Sequence, residues 1–341
     1  MTTSAWGPRP YPLFSVAPML DVTDRHYRTF LRLISQETLL YSEMVTTGAL
    51  LHGHHPSRFL DYSAAEHPLA LQLGGSQPSA LAECARMAEA WGYDEVNLNV
   101  GCPSDRVQNN AIGACLMAQP AVVAQCIDAM QAATQLPVTV KCRIGIDDQD
   151  EDADLTRFVQ QVSEAGCQIF ILHARKAWLK GLSPKENREI PPLNYERVYR
   201  LKQAFPHLVI GLNGGLTDLD QCEQALKQVD SVMLGRAIWN NPYLLAEVDR
   251  RFFAHTRPPL SRHQVVKRYL PYVESRLSTG DRLAHLTRPL MNLFQAMPGA
   301  RRFRRLLSEQ AHRPGQDARL IEQALALVAD PSDSVTLEPF S

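Results

Sequence analysis

Glu95-Val96-Asn97-Leu98-Asn99-Val100-Gly101-Cys102-Pro103-Ser104 is an alternating strand that stops abruptly at a Gly-Cys-Pro turn. Alternation sets Asn97 and Asn99 on one face and Val96, Leu98 and Val100 on the other. Two amides on an inward face are costly unless they bind something polar. Cys102 follows a permissive glycine and precedes a φ-locked proline, so its position is narrowly specified. Spacing alone leaves two readings of it: a buried structural cysteine closing a strand, or a group that does chemistry at the strand's end.

Outward from this stretch the same unit recurs. Candidate strands fall at Leu13–Met19, Leu39–Val45, Leu69–Leu73, Glu95–Val100, Val138–Ile144, Gln168–His173, Val209–Asn213 and Ser231–Gly235. Between them lie helical spacings: Leu81, Cys84, Ala88 and Trp91; Leu155, Phe158, Val159 and Val162; Tyr195, Val198 and Leu201; Cys222, Ala225, Leu226 and Val229. Alternating β and α with apolar, parallel-type strands defines an α/β protein. Eight such units in about 240 residues fit a closed (β/α)8 TIM barrel better than an open sheet. The open doubly wound alternative lacks its glycine-rich turn after the first strand. After Phe253 the pattern changes: Pro258-Pro259 interrupts the chain, and Ser261 to Ala329 is helical throughout, with clear helices at Arg262–Ser278 and Ala300–Gln310. The expected division is a catalytic barrel over 1–254 and a C-terminal all-helical domain over 255–341.

Bulk composition narrows the class. The chain is 45% apolar and 21% charged, ordinary for a globular protein. Its seven cysteines are scattered and never form a C-x-x-C pair, which favours a reducing cytoplasm over a disulfide frame or zinc ribbon. Met1 to Pro10 does not read as a signal peptide, and no apolar run reaches membrane-spanning length. The net charge of −1 hides an asymmetry: residues 257–305 carry eleven Lys/Arg against Glu274 and Asp281 alone. A basic end on a neutral chain suggests a polyanionic partner.

The strand ends carry the chemistry. Strand one closes on Ala17-Pro18-Met19, strand three offers Gln72, strand five Lys141 and Arg143 on one face, and strand six His173 with Arg175 beyond. A barrel filled only for stability would use Val, Ile and Leu there. Asn213-Gly214-Gly215 closes strand seven and Gly235-Arg236 closes strand eight, the two positions where barrels commonly hold phosphate. Glycine lets backbone N–H groups approach, and Arg236 can grip a phosphate bidentately. A phosphate cup, a Gln and a Lys for a flat polar ring, and a Met against its face together suggest flavin mononucleotide; a sugar-phosphate substrate fits the spacing equally. Two long loops, Ser104–Ala118 with Asn109-Asn110 and Lys176–Leu193, follow strands and so lie on the catalytic face. His52-Gly53-His54-His55 lacks acidic or Cys companions for a metal, and the acidic run Asp147–Asp152 lacks calcium-loop spacing, so no metal is expected. On a helix from Ala300, Arg301, Arg304 and Arg305 share a face with Arg302 beside them.

Ala17-Pro18-Met19, Asn99-x-Gly101-Cys102-Pro103, Lys141-x-Arg143, His173-x-Arg175, Asn213-Gly214-Gly215 and Gly235-Arg236, in this order, resemble the tRNA-dihydrouridine synthases. The resemblance runs from about residue 13 to 310, and the stretch His173 to Arg188 is similar to the A-type bacterial members. It implies an FMN-dependent barrel with a helical RNA-binding domain, which uses NADPH to reduce FMN and then reduces the C5–C6 bond of D-loop uridines at positions 20 and 20a. By resemblance, Pro18 and Met19 line the flavin, Gln72, Lys141 and His173 contact it, and Asn213, Gly214, Gly215, Gly235 and Arg236 hold its phosphate. Cys102 is then the proton donor with Asn99 beside the base, while Lys185, Arg188 and the arginines 301, 304 and 305 contact tRNA. A monomer is expected. The competing readings are an FMN barrel acting on a free pyrimidine, of the dihydroorotate dehydrogenase kind, and a non-catalytic tRNA-binding protein. The arginine helix argues against the first, and intact Cys102, Lys141 and His173 argue against the second.

Overall fold

The computed structural model describes residues 11–104, 111–149 and 152–330. Asn109-Asn110 of the first long loop and Asp150-Glu151 of the acidic run lie outside them. Eight strands close into a barrel in sequence order: β1 Phe14–Val16, β2 Leu39–Thr46, β3 Leu69–Gly74, β4 Glu95–Val100, β5 Val138–Arg143, β6 Ile169–His173, β7 Val209–Asn213 and β8 Ser231–Leu234. Every neighbouring pair is parallel, including β8 with β1. The chain divides into two compact units, residues up to 25 with 37–235, and residues 26–36 with those from 236 onward. Helix α1 (Arg25–Arg32), which in sequence separates β1 from β2, falls almost wholly in the second.

In the first unit the period of two sorts each strand. On β4, Val96, Leu98 and Val100 are buried outward, and β5 does the same with Val140 and Cys142. Helices cover that side: α2 (Pro78–Trp91), α3 (Pro120–Ala133), α4 (Asp152–Glu164), α5 (Tyr195–Ala204) and α6 (Leu219–Ala225). Helix α2 shows the sequence logic. Pro78 starts it with φ already set, Leu81, Cys84, Ala85 and Ala88 form its buried stripe, and Gly92 ends it in a left-handed cap at φ 85°. Each large apolar side chain so buried contributes about 1.5–3 kcal/mol.

The barrel interior is not uniform. Tyr11, Leu39, Tyr41, Ala70, Ile169, Ile171 and Met233 make an apolar cluster. The inward positions of β3 to β5 are instead polar and deeply buried: Gln72, Glu95, Asn97, Asn99, Thr139 and Arg143. Strand register aligns them, Gln72 beside Asn97, Asn97 beside Thr139 and Asn99 beside Lys141. Buried polar groups are mostly hydrogen-bonded: Gln72, Asn97, Asn99, Thr139 and Glu95 are linked to one another, while Arg143 bonds backbone carbonyls.

The second unit is helical. Besides α1 its elements include α7 (Arg236–Asn240), α8 (Arg262–Ser278), α9 (Ala300–Gln310) and α10 (Arg319–Leu325). Ser261 and Gln264 make a reciprocal capping box at the start of α8. Helix α1 packs against these elements. His26 Nδ1 lies 2.9 Å from the Tyr272 hydroxyl, Tyr27 donates to the Ile238 carbonyl at 3.0 Å, and Phe30 meets Tyr269 edge-on at 5.5 Å.

Candidate active site

Cys102 is half-buried at the C-terminal end of β4, and its turn is held from three directions. Asn99 Oδ1 accepts from the backbone N–H of Gly101 at 3.1 Å and of Cys102 at 2.9 Å. The guanidinium of Arg143 donates to the Gly101 carbonyl at 3.0 Å, and the Ala114 N–H donates to the Cys102 carbonyl at 2.9 Å. The turn also runs close to β5: a Cβ on Gly101 would sit a tight 3.3 Å from the Cys142 backbone.

Lys141 and Arg143 share the inward face of β5. Burial first, and the Arg143 charge second, lower the Lys141 ammonium to about 8. Burial also lowers Arg143, to about 10. Negative charge at Cys102 would act in the opposite direction on both, which places the thiol in the field of both cations. Lys141 donates to the neutral amide of Asn213 at 3.0 Å, and Asn213 Nδ2 donates to the Met233 carbonyl at 2.7 Å. The Asn213 side chain therefore binds Lys141 and β8, leaving its backbone to take part in any phosphate cup. Arg143 reaches three carbonyls, those of Gly101, Lys176 and Asn187. Two cations, Arg143 buried and Lys141 half-buried, whose described hydrogen bonds all run to neutral oxygens suit an electron-rich or anionic partner.

The glycines after β7 complete the surroundings. Gly214 and Gly215 both have left-handed φ, 102° and 76°. A Cβ on Gly214 would come within 3.1 Å of His173 Nε2, and one on Gly215 would run into Leu193 and Tyr195. The Tyr195 hydroxyl donates to the Gly214 carbonyl at 2.8 Å. Beside them on the same rim, after β8 and β1, Pro18 and Met19 are half-buried, and a Cβ on Gly235 would lie 3.5 Å from Met19 Sδ. Arg236 is the exposed first residue of α7 and belongs to the second unit. Gln72 is buried with both ends of its amide engaged, donating to Asn97 Oδ1 at 2.8 Å and accepting from Asn99 Nδ2 at 2.9 Å.

The loop after β6 carries Lys185 and Arg188, both exposed. Its organiser is Asn187, fully buried, whose amide bonds Trp178 N, Trp178 O and Leu182 O at 2.8, 2.9 and 3.1 Å. Trp178 and Ile190 stand out from the loop at 39% and 59% exposure, with the Lys176 ammonium 5.2 Å from the Trp178 ring. On α9, Phe303 and Leu307 are buried, Arg301, Arg302 and Arg305 are exposed and Arg304 is half-buried; Arg305 pairs with Glu309 at 2.8 Å. His52, His54 and His55 are exposed. Among the described residues no three His, Cys, Asp or Glu side chains converge.

The described site residues thus converge as follows: Asn99, Gln72 and Cys102 in one network, Lys141 with Asn213, His173 with Gly214, and Met19 with Gly235. Sequence reasoning gave no role to Thr139, Glu95 or Asn187, and named Arg143 only as part of a motif. Alternation could have marked Glu95 and Thr139 as inward.

A braced cysteine, the cations Lys141 and Arg143 and a glycine cradle lie at the strand C-termini of a (β/α)8 barrel, the face where enzymes of the barrel class keep their active sites. Residues 15–329 match the dihydrouridine synthase (Dus) family, and the chain belongs to it. It is 58% identical over 315 residues, 92% of this chain and 96% of the relative, to the tRNA-dihydrouridine(20/20a) synthase of Vibrio cholerae serotype O1. The protein of the same name from Escherichia coli K12 is also 58% identical, over 318 residues, 93% of this chain and 92% of the relative. Among solved structures, a 2-naphthoyl-CoA reductase complex shares the fold with TM-score 0.54 at 12% identity, over 69% of this chain and 49% of that one.

Proposed function

We propose that this chain reduces uridines 20 and 20a in the D-loop of tRNA to 5,6-dihydrouridine, with FMN as bound cofactor and NADPH as reductant. Membership of the family and the names its relatives carry support the substrate. The observation that carries the chemistry is the Cys102 turn, fixed by Asn99 and Arg143 beside the Lys141 ammonium.

When bound and reduced by NADPH, FMN would supply the hydride that C6 of the uracil takes up. In this reading Cys102 gives its proton to C5, and the cysteine is reprotonated from solvent. Lys141 and His173 contact the flavin ring, Gln72 through what its amide retains beyond Asn97 and Asn99, and Pro18 and Met19 line it. The backbone of Asn213, Gly214, Gly215 and Gly235, with the Arg236 guanidinium, holds the phosphate. Asn99 both braces Cys102 and stands beside the target base. The uridine must leave the tRNA fold to reach this site, and tRNA-binding groups elsewhere offset that cost. Lys185, Arg188, Arg301, Arg304 and Arg305 are proposed to supply them, the last three from a tRNA-binding domain at 255–341. The enzyme is proposed to act as a monomer in the cytoplasm; no helix among the described residues is long and apolar enough to cross a membrane.

The test is direct. Purified protein should be yellow and, given NADPH, should convert uridine to dihydrouridine in tRNA transcribed without modifications. Reduction of a free pyrimidine with no change in tRNA would overturn the proposal.

A further inference from the structure

A single chain of hydrogen bonds runs through the polar half of the barrel, and its observed sense can be read from the end at Gly101 and Cys102. The N–H groups of Gly101 and Cys102 can only donate, so Asn99 must present Oδ1 to them. Its Nδ2 then faces Gln72 and donates to Oε1 at 2.9 Å. Gln72 Nε2 donates to Asn97 Oδ1 at 2.8 Å, and Asn97 Nδ2 donates to Thr139 Oγ1 at 2.7 Å. With its oxygen accepting from Asn97, Thr139 turns its own proton to Glu95 Oε1 at 2.6 Å. Tyr41 donates to the same oxygen at 2.6 Å, with Tyr11 behind it at 2.6 Å. Every donor points towards Glu95.

Glu95 is fully buried, and its second oxygen makes no hydrogen bond. Such a group is costly to keep, since burial disfavours its charge and an unsatisfied oxygen forfeits solvation. An apolar residue would suit a barrel floor better on stability alone. What an apolar residue could not supply is an acceptor for Thr139.

We propose that Glu95 and Thr139 are positioning residues for Cys102, acting through Asn97, Gln72 and Asn99 to keep the Asn99 oxygen turned towards the Gly101-Cys102 backbone. Without a terminal acceptor the chain can reverse. Thr139 then donates to Asn97, both amides flip, and Asn99 presents its NH2 group to two N–H donors. The turn loses both side-chain bonds, and Cys102 leaves its fixed place. The inference rests on the reading of Cys102 as proton donor for its consequence in turnover, but not for its structural content.

The experiment uses FMN-loaded full-length protein and two readouts. The first is the site-resolved alkylation rate of Cys102 by iodoacetamide, followed by peptide mass spectrometry. The second is the single-turnover rate of dihydrouridine formation per bound flavin. Thr139→Val keeps shape but removes the hydroxyl, and Thr139→Ser restores it. Glu95→Leu removes the acceptor, and Glu95→Gln restores it, so a pair remains if one valine or leucine variant fails to fold. Val and Leu should alter Cys102 alkylation severalfold and slow turnover about tenfold, equivalent to about 1.4 kcal/mol, with KM for tRNA unchanged. Ser and Gln should return both to within about twofold of the parent. A merely structural role would lower the yield of holoenzyme without changing the rate per bound flavin. Parental alkylation and turnover in the Val and Leu variants would overturn the proposal. Full activity in Cys102→Ala would instead remove the proton-donor reading, and the alkylation arm would still report on the relay.

Discussion

Replacing Glu95 by Gln should make the protein's stability less dependent on pH, in a direction that the burial of Glu95 dictates. Burial raises the Glu95 carboxyl from the ordinary 4.5 to about 7, against the hydrogen bonds from Thr139 and Tyr41 that pull it down. Between those two values the folded state holds a proton that the unfolded chain releases. Stability attributable to this group is therefore present below 4.5 and lost as pH rises towards 7. The full penalty, reached above pH 7, is about 3 kcal/mol; at pH 5 it is below about 1 kcal/mol. Gln is isosteric and never ionises. Its NH2 group in place of the unbonded oxygen carries a desolvation cost of its own, about 1–3 kcal/mol, but that cost does not vary with pH. The difference in unfolding free energy between Glu95→Gln and the parent should therefore move by about 2–3 kcal/mol in favour of Gln between pH 5 and pH 8. Urea unfolding at four or five pH values, followed by tryptophan fluorescence and circular dichroism, reads this difference directly. A difference that stays constant across the range would refute the raised carboxyl. One that moves in favour of Glu would mean that the carboxylate is ionised and stabilised in the fold.

Three further outcomes bear on the site and the partner. Cys102→Ala should keep FMN and tRNA affinity but lose most single-turnover dihydrouridine formation, about 10²-fold or more for removal of a general acid; an unchanged rate would remove that role. Arg236→Ala should weaken FMN by about 10- to 100-fold, as expected when a charge-assisted bond to phosphate is removed, and purify with little yellow colour; a full flavin complement would take Arg236 out of the phosphate cup. Arg301→Ala with Arg304→Ala should weaken tRNA binding and reduce the slope of log affinity against log salt by about one for each phosphate no longer neutralised, and an unchanged slope would leave that helix facing solvent.

The strands were legible because their signal is local. β4 and β7 run over the residues that alternation marks, and α8 and α9 over the helices expected at Arg262–Ser278 and Ala300–Gln310. Helix α3 is a different case. Pro120 starts it and Val123, Cys126, Ile127 and Met130 form its buried face, yet it is not among the expected helices. Alanines and glutamines between those positions blunt its stripe. Helix α1 is equally obscure: its segment is rich in Arg, and nearly all of it is buried. It groups with a segment more than 200 residues away, through pairs such as His26 with Tyr272, and no local pattern carries that information.

The same division runs through the candidate site. Cys102, Lys141 and His173 stand out because polar residues at barrel strand ends break the apolar rule. The bonds that organise them depend on register between strands. Gln72 meets Asn97, and Asn97 meets Thr139, only because β3, β4 and β5 align at those positions. Arg143 likewise shows its purpose only when the loop after β6 folds back to offer the carbonyls of Lys176 and Asn187. Residue types single out the candidates, and the register of the folded strands shows what holds them in place.

A position-by-position map of dihydrouridine in tRNA decides whether this chain does what its site is proposed to do. The host should be a bacterium stripped of its own dihydrouridine and made to express this chain. Dihydrouridine is expected at positions 20 and 20a, with other D-loop uridines unmodified and far less product from Cys102→Ala. Dihydrouridine confined to other positions would contradict the assignment of the site's substrate, and none at all would contradict the function.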